Sequence, residues 1–169
     1  MEVSVIGILN THGHGDHVGA VAPIRMATSA PYQIHQGDVP ILAGGGWMRQ
    51  MDPSFTDPPE PDYLLTAGFS VDVGEMNFEV IETPGHTPGG VCFYGHGLLF
   101  TGDTLFQGSI GRFDLPGGDG EILMESIIGK LITLPDDTVV LPGHGPDSTI
   151  GKEKQQNPFI IRHLRNRSA

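Results

Sequence analysis

Short apolar and β-branched runs, separated by glycine and proline, mark out the chain, and most are too short for anything but strands. Residues 3–9 predict a buried strand that stops at Asn10-Thr11. Residues 12–17 then read as a loop, and 18–26 as a helix with Asp16 near its start. Residues 32–35 predict another short strand, and 38–43 a helical turn that runs into Gly44-Gly45-Gly46. The stretch 52–62, rich in Pro and Asp, reads as an irregular surface loop. The second half is more regular. Residues 69–73 and 76–82 predict a hairpin around Gly74, and 91–94 with 98–101 a second one through Gly95-His96-Gly97. Ile122, Leu123, Ile127 and Leu131 are spaced for a helix over 120–131. Residues 138–141 predict a strand, and the tail after Ile150 helical pieces. No repeat or boundary interrupts residues 1–169, so one α/β domain is expected.

Composition narrows the function. The 25 glycines and 14 prolines are spread along the chain, which fits many short elements joined by tight turns. A formal net charge of -11 argues against a nucleic-acid partner, because phosphate binding needs clustered Lys and Arg. The basic residues Lys152, Lys154, Arg162, Arg165 and Arg167 gather near the C-terminus and read first as a solvated helix face. Cys92 is the only cysteine; it sits in the apolar run Val91-Cys92-Phe93-Tyr94 and reads as a buried small hydrophobe. With no signal-like N-terminus and no stretch of membrane-spanning length, a soluble, cytoplasmic protein is expected, with no membrane partner.

The chemistry lies in where the predicted strands end. The first runs into His12, His14, Asp16 and His17, the second into Thr83-Pro84-Gly85-His86, the third into Gly102-Asp103, and the fourth into Pro142-Gly143-His144. Of eight histidines, five fall in these turns. Loops at one sheet edge are where a scaffold converges side chains from distant sequence. Imidazole nitrogen and carboxylate oxygen are the donors of zinc and similar divalent ions, and seven donors suit two ions sharing a bridge. His12 and His14 alternate along an extended loop toward one metal, completed by His86. Asp16 and His17 turn toward a second, completed by His144. Asp103 has two oxygens and can bridge both. The remaining histidines, His35, His96 and His163, read as structural.

With these residues in order, the sequence resembles the metallo-β-lactamase-fold hydrolases, and most closely their small glyoxalase II-like branch. The resemblance rests on Thr11-His12-Gly13-His14-Gly15-Asp16-His17, Thr83-Pro84-Gly85-His86-Thr87-Pro88-Gly89-Gly90 and Phe100-Thr101-Gly102-Asp103-Thr104-Leu105-Phe106. Gly108-Ser109-Ile110-Gly111-Arg112 and Leu141-Pro142-Gly143-His144-Gly145 extend it. It implies an αββα sandwich with metals at one edge of the two sheets, and it supports the ligand set. Relatives usually place several strands and a helix before the strand that leads to HxHxDH, so the first sheet is expected to be shortened. Two expectations follow: a homodimer that covers this face, or a chain that is a shortened version of a longer protein.

The expected activity is hydrolysis by a metal-bridging hydroxide attacking a carbonyl, with two divalent ions, zinc first and iron or manganese as alternatives. Metal-bound water is acidified from 15.7 to about 7. Asp16 and Asp103 are the expected catalytic carboxylates. A thioester is favoured because its thiolate leaves with little acid help, whereas an amide nitrogen needs a delivered proton. The β-lactamase branches normally carry Cys or Ser where Asp103 stands. Arg112 and Asp114 are expected to brace the metal loop, with substrate contact as the alternative, and Gly44-Gly45-Gly46-Trp47-Met48 reads as either a lid or a helix end. Two other readings remain: a mononuclear-iron sulfur dioxygenase using His12, His86 and Asp103, and a silent metal-binding module.

Overall fold

The computed structural model describes residues 4–42 and 46–167. Strand β1 (Ile8–Leu9) leads through the helical turn α1 (Gly15–Val18) to α2 (Val21–Thr28) and β2 (Tyr32–His35). A 3-10 turn, Gln36–Asp38, precedes α3 (Val39–Leu42), followed by α4 (Gly46–Met51) and β3 (Tyr63–Leu65). The second half runs β4 (Ser70–Val73), β5 (Met76–Glu82), β6 (Val91–Gly95), β7 (Leu98–Gly102), β8 (Leu105–Phe106) and β9 (Ser109–Ile110). Helix α5 (Gly120–Ser126) continues as a π-helical stretch, Ile127–Leu131; β10 (Val139–Pro142), β11 (Ser148–Thr149), α6 (Ile150–Gln156) and α7 (Pro158–Arg167) complete the chain. Among the described residues, no helix is long and apolar enough to cross a membrane.

One sheet is parallel, in the order β1-β2-β3, a larger one has six strands, β11-β10-β7-β6-β5-β4, and β8 and β9 pair as a two-stranded ribbon. In the larger sheet only the β10–β7 pair is parallel. Alternation along the strands makes the layers, since successive side chains point to opposite faces. Val91 and Phe93 turn toward Phe78, Val80 and Leu65, between the sheets, while Cys92 joins Leu99, Val140, Leu123, Ile127, Leu131, Ile150 and Ile160 beneath the C-terminal helices. On the other side Val18, Val21 and Leu42 pack on Ile8, Tyr32 and Ile34. The order of layers is helix, sheet, sheet, helix, the expected αββα sandwich.

Several element boundaries depart from the sequence expectation. Of the described part of the expected 3–9 strand, residues 4–9, only Ile8–Leu9 is paired, with Ile8 opposite Tyr32 and the Ile8 N–H donating to the Pro31 carbonyl. Proline has no N–H to carry the ladder further. The helix expected over 18–26 divides at Gly19-Ala20 into α1 and α2. Residues 63–65 add a third parallel strand through the free edge of β2, with Gln33 opposite Tyr63. The lid expected at Gly44-Gly45-Gly46-Trp47-Met48 lies outside the described residues apart from the α4 backbone and Met48.

Candidate metal centre

The carboxyl-terminal ends of β1, β5, β7 and β10 meet at one rim, and each delivers a turn to it. The β1 turn is held by Asn10, whose Nδ2 donates to the His17 carbonyl (2.8 Å) across α1. The β5 turn is fixed to α5: Asp119 N–H donates to the Gly85 carbonyl (2.7 Å), and Ser126 Oγ to the Pro84 carbonyl (2.8 Å). Only glycine fits at residue 85, since φ is +130° and a Cβ would lie 2.2 Å from Leu123 N. The β7 and β10 turns are tied together where Gly143 N–H donates to the Gly102 carbonyl (2.8 Å). The β10–β7 register shifts at Leu141/Pro142, just ahead of His144.

All seven residues singled out in the sequence come together here. Donor atoms of His12, His14 and His86 lie within 4.8 Å of one another, and the same holds for Asp16, His17 and His144, and for His12, His17 and Asp103. His14 Nδ1 is 2.9 Å from His86 Nε2, and His17 Nε2 is 3.2 Å from His144 Nε2. Asp16 Oδ2 is 3.2 Å from His144 Nε2 and 3.6 Å from His17 Nε2. Asp103 stands between the groups: Oδ1 is 3.3 Å from His17 Nε2, and Oδ2 is 3.7 Å from His86 Nε2 and 3.6 Å from His144 Nε2.

The donor set fits a cation. His86 Nδ1 donates to the Arg112 carbonyl (2.6 Å), which leaves Nε2 as a lone pair facing the cluster. His12 Nδ1 contacts Thr11 Oγ1 (3.2 Å), and its buried Nε2 has no hydrogen-bond partner. Asp103 Oδ1 is equally buried and, despite its proximity to His17, has no aligned donor. Buried polar atoms left without partners need a reason, and an ion between them supplies one. Burial, reinforced by His17 and His86, pushes the His12 pKa down to about 2, and His14 is lowered by burial and then by His86, so both rings are neutral ligands at neutral pH. Burial would depress His17, but contact with Asp103 and the charges of Asp103 and Asp16 outweigh it and raise its pKa. Burial would raise Asp103, yet His17, with the charges of His12 and His86, holds it below the ordinary carboxylate range.

The centre is closed on one side and open on the other. His12 and His86 are buried, while Asp16 and His144 are exposed. Beside Asp16 runs a groove of about 560 Å³ bordered by Gly19, Pro23, Met26, Met48 and Phe55.

Of the other histidines, His35 and His96 take structural roles. His35 Nδ1 accepts from Gly37 N–H (3.1 Å), and its Nε2 donates to Glu82 Oε1 (3.2 Å). His96 has a positive φ of 51° and accepts from Asn77 N–H (3.1 Å). His163 lies on α7, outside every one of the clusters. Arg112 does brace the centre, but through its backbone carbonyl; its guanidinium pairs with Asp114 in solvent. Asp38 carried no signal in the sequence. It is fully buried and accepts from Gly13 N–H (2.7 Å), Thr87 Oγ1 (2.8 Å) and Gly89 N–H (2.6 Å).

Sandwich and rim together define a metal-dependent hydrolase. The chain belongs to the metallo-beta-lactamase superfamily, whose model matches residues 3–144. It is 36% identical over 181 residues to hydroxyacylglutathione hydrolase GloC of Haemophilus influenzae, covering 95% of this chain and 78% of that protein. Among solved structures, TTHA1623 in a di-iron-bound form is 42% identical, with a TM-score of 0.82 over 91% of this chain and 77% of that one. BLEG-1, described as a B3 metallo-beta-lactamase, is also 42% identical, with a TM-score of 0.80 over 92% of this chain and 77% of that one. Divalent metal binding follows from the clusters and from the di-iron neighbour.

Proposed function

We propose that this chain is a dinuclear hydrolase of thioesters, with zinc as its metal. The observation that carries the reading is the pair of triads, His12–His14–His86 and Asp16–His17–His144, with Asp103 between them. Two complete donor sets favour a two-metal centre over the mononuclear iron site of a dioxygenase. Bound divalent cations supply an electrophile for the carbonyl oxygen and acidify a water to a pKa of about 7.

The chain's own residues set the rest. Asp103 stays ionised and contacts both triads, so it supplies negative charge where two cations are held. Buried His12 and His86 close the back of the centre, leaving the exposed side at Asp16 and His144 for substrate. The adjoining groove falls within the usual range for ligand sites and offers apolar walls for the acyl or thiol portion. Its second carboxylate, Asp52, is held below the ordinary range by the Ser54 hydroxyl and amide, so it carries no proton to give at neutral pH. A thiolate needs little acid to depart, whereas an amine does, and the groove therefore suits thioesters. The similarity to GloC points the same way.

The experiment pairs metal analysis of as-purified, tag-free protein with thiol release from lactoylglutathione and a neutral acyl thioester, run beside a β-lactam and a persulfide under oxygen. Two zinc ions per chain and thiol release are expected. Turnover of the β-lactam alone, oxygen uptake by an iron-loaded form, or full metal loading with no turnover would each overturn the proposal.

A further inference from the structure

We infer that Asp38 is a positioning residue that joins the two turns carrying His12, His14 and His86, and so sets the affinity of that triad without setting that of Asp16–His17–His144. The inference rests on the proposed two-metal reading.

The argument begins with where the carboxylate sits. Asp38 ends the 3-10 turn after β2 and belongs to the smaller sheet's side, yet its acceptors reach both ligand turns. Oδ2 takes the Gly13 N–H, between His12 and His14, together with the Thr87 hydroxyl, one residue beyond His86. Oδ1 takes the Gly89 N–H, farther along the same turn. The backbones are packed to match. A Cβ at Gly13 would lie 3.1 Å from Asp38 O, one at Gly89 2.5 Å from Asp38 N, and one at Gly37 2.9 Å from the Gly89 backbone. His35 braces the same seam by donating to Glu82, the last residue of β5.

All three partners are donors, and only an acceptor without hydrogens satisfies them. An ionised carboxylate does so; an asparagine of the same shape must set its NH2 against at least one N–H or hydroxyl. A buried carboxylate is costly to hold, and here three hydrogen bonds, each assisted by its charge, offset that cost. Among the described residues no such contact reaches the second triad: Asp16 and His17 sit on α1, which Asn10 holds, and His144 follows β10. The clamp is therefore specific to one triad. Residues behind metal ligands typically change metal affinity by about 10–100-fold when lost.

The test is cobalt(II) titration of metal-free protein, followed by its visible absorption, with His14→Ala and His144→Ala marking which binding phase belongs to which triad. Asp38→Asn should weaken the His14-dependent phase by about 10–100-fold and leave the His144-dependent phase unchanged. Thr87→Val removes one donor and spares the two amides, so it should weaken the same phase less, and Thr87→Ser should restore it. Amide exchange in the metal-free protein gives a second readout. Gly13 and Gly89 should lose protection together in Asp38→Asn while the α5 amides keep theirs. Equal weakening of both phases, or unchanged cobalt binding once both amides have lost protection, would overturn the inference. A wild-type protein that never shows two phases would refute the two-metal reading instead, and the paired loss of amide protection would still test the clamp.

Discussion

Gly143→Ala offers a clean probe of the metal centre, because the substitution adds one methyl group at its middle and asks nothing unusual of the backbone. A Cβ at Gly143 would stand 2.6 Å from Asp103 Oδ1 and 2.7 Å from His17 Cε1, against an ordinary contact of 3.4–4 Å. Asp103 and His17 must therefore retreat by about 0.8 Å. Metal–ligand distances tolerate only about 0.2 Å, so the displacement is several times what coordination accepts. Both residues belong to the cluster shared with His12, and His17 also serves the Asp16–His144 triad. The expected loss is about 10–100-fold in metal affinity, or about 1.4–2.8 kcal/mol.

Stability should move much less. The groups can swing toward the exposed side at His144, so the overpacking cost falls near the low end, about 1 kcal/mol, or about 2–4 °C in Tm for the metal-free chain. Calorimetric zinc titration and thermal melts of the metal-free protein separate the two effects. Gly145→Ala is the contrast: φ there is +81° with open space around a Cβ, so strain should lower Tm while metal binding stays intact. Undiminished binding of both ions by Gly143→Ala would refute the placement of Asp103 and His17 in the centre. A collapse in Tm before metal is added would refute the packing argument.

Two further outcomes are expected. Burial pushes the Cys92 thiol up to about 11 from 9.0, against the opposing contacts with Thr83 and Thr104. The unfolded chain therefore gives up this proton first, and stability should fall between pH 9 and 11 by about 1.4 kcal/mol per pH unit. Urea unfolding at pH 8 and 10 should show a total loss of about 1.3 kcal/mol in wild type that Cys92→Ala lacks; equal losses in the two proteins would refute it. The open edge between the sheets exposes Val5, Ile6, Tyr63, Leu64, Phe69 and Val73, and among the described residues its groove of about 920 Å³ is lined by a single charged side chain, Asp72. Two copies of a chain of formal charge -11 can meet there with little like-charge contact, and a dimer is expected. Sedimentation should show it at micromolar concentration and Ile6→Lys should disperse it; a monodisperse wild-type monomer would count against it.

Much of the architecture can be read from the chain because its signals are local. The strand Tyr32–His35 and the hairpins around Gly74 and Gly95-His96-Gly97 form where their apolar alternation and turn residues place them. The four rim turns are legible for the same reason, since each carries its imidazole or carboxylate within a few residues of a strand end. Elements that exist only through a partner are not legible. Residues 63–65 are mostly exposed and become a strand because β2 offers a free edge. The paired part of β1 is short because its neighbour begins after Pro31. Leu105–Phe106 and Ser109–Ile110 are two-residue strands defined by pairing with each other.

Asp38 shows what a local reading cannot reach at the site itself. An aspartate after Gln-Gly in a turn is ordinary in sequence, and its partners lie 25, 49 and 51 residues away. Ligands announce themselves because metal chemistry restricts the residue types at a turn. A clamp does not, because its partners are backbone amides that every residue but proline possesses. What singles Asp38 out is burial together with three donors and no acceptor, a property of the assembled molecule. The Arg112 carbonyl behind His86 follows the same logic: a backbone atom fixes the ring's tautomer, so the side chain at that position is free to pair with Asp114 in solvent. The order of the ligands is thus written in side chains, and the precision with which they are held is written largely in backbone contacts that only the fold creates.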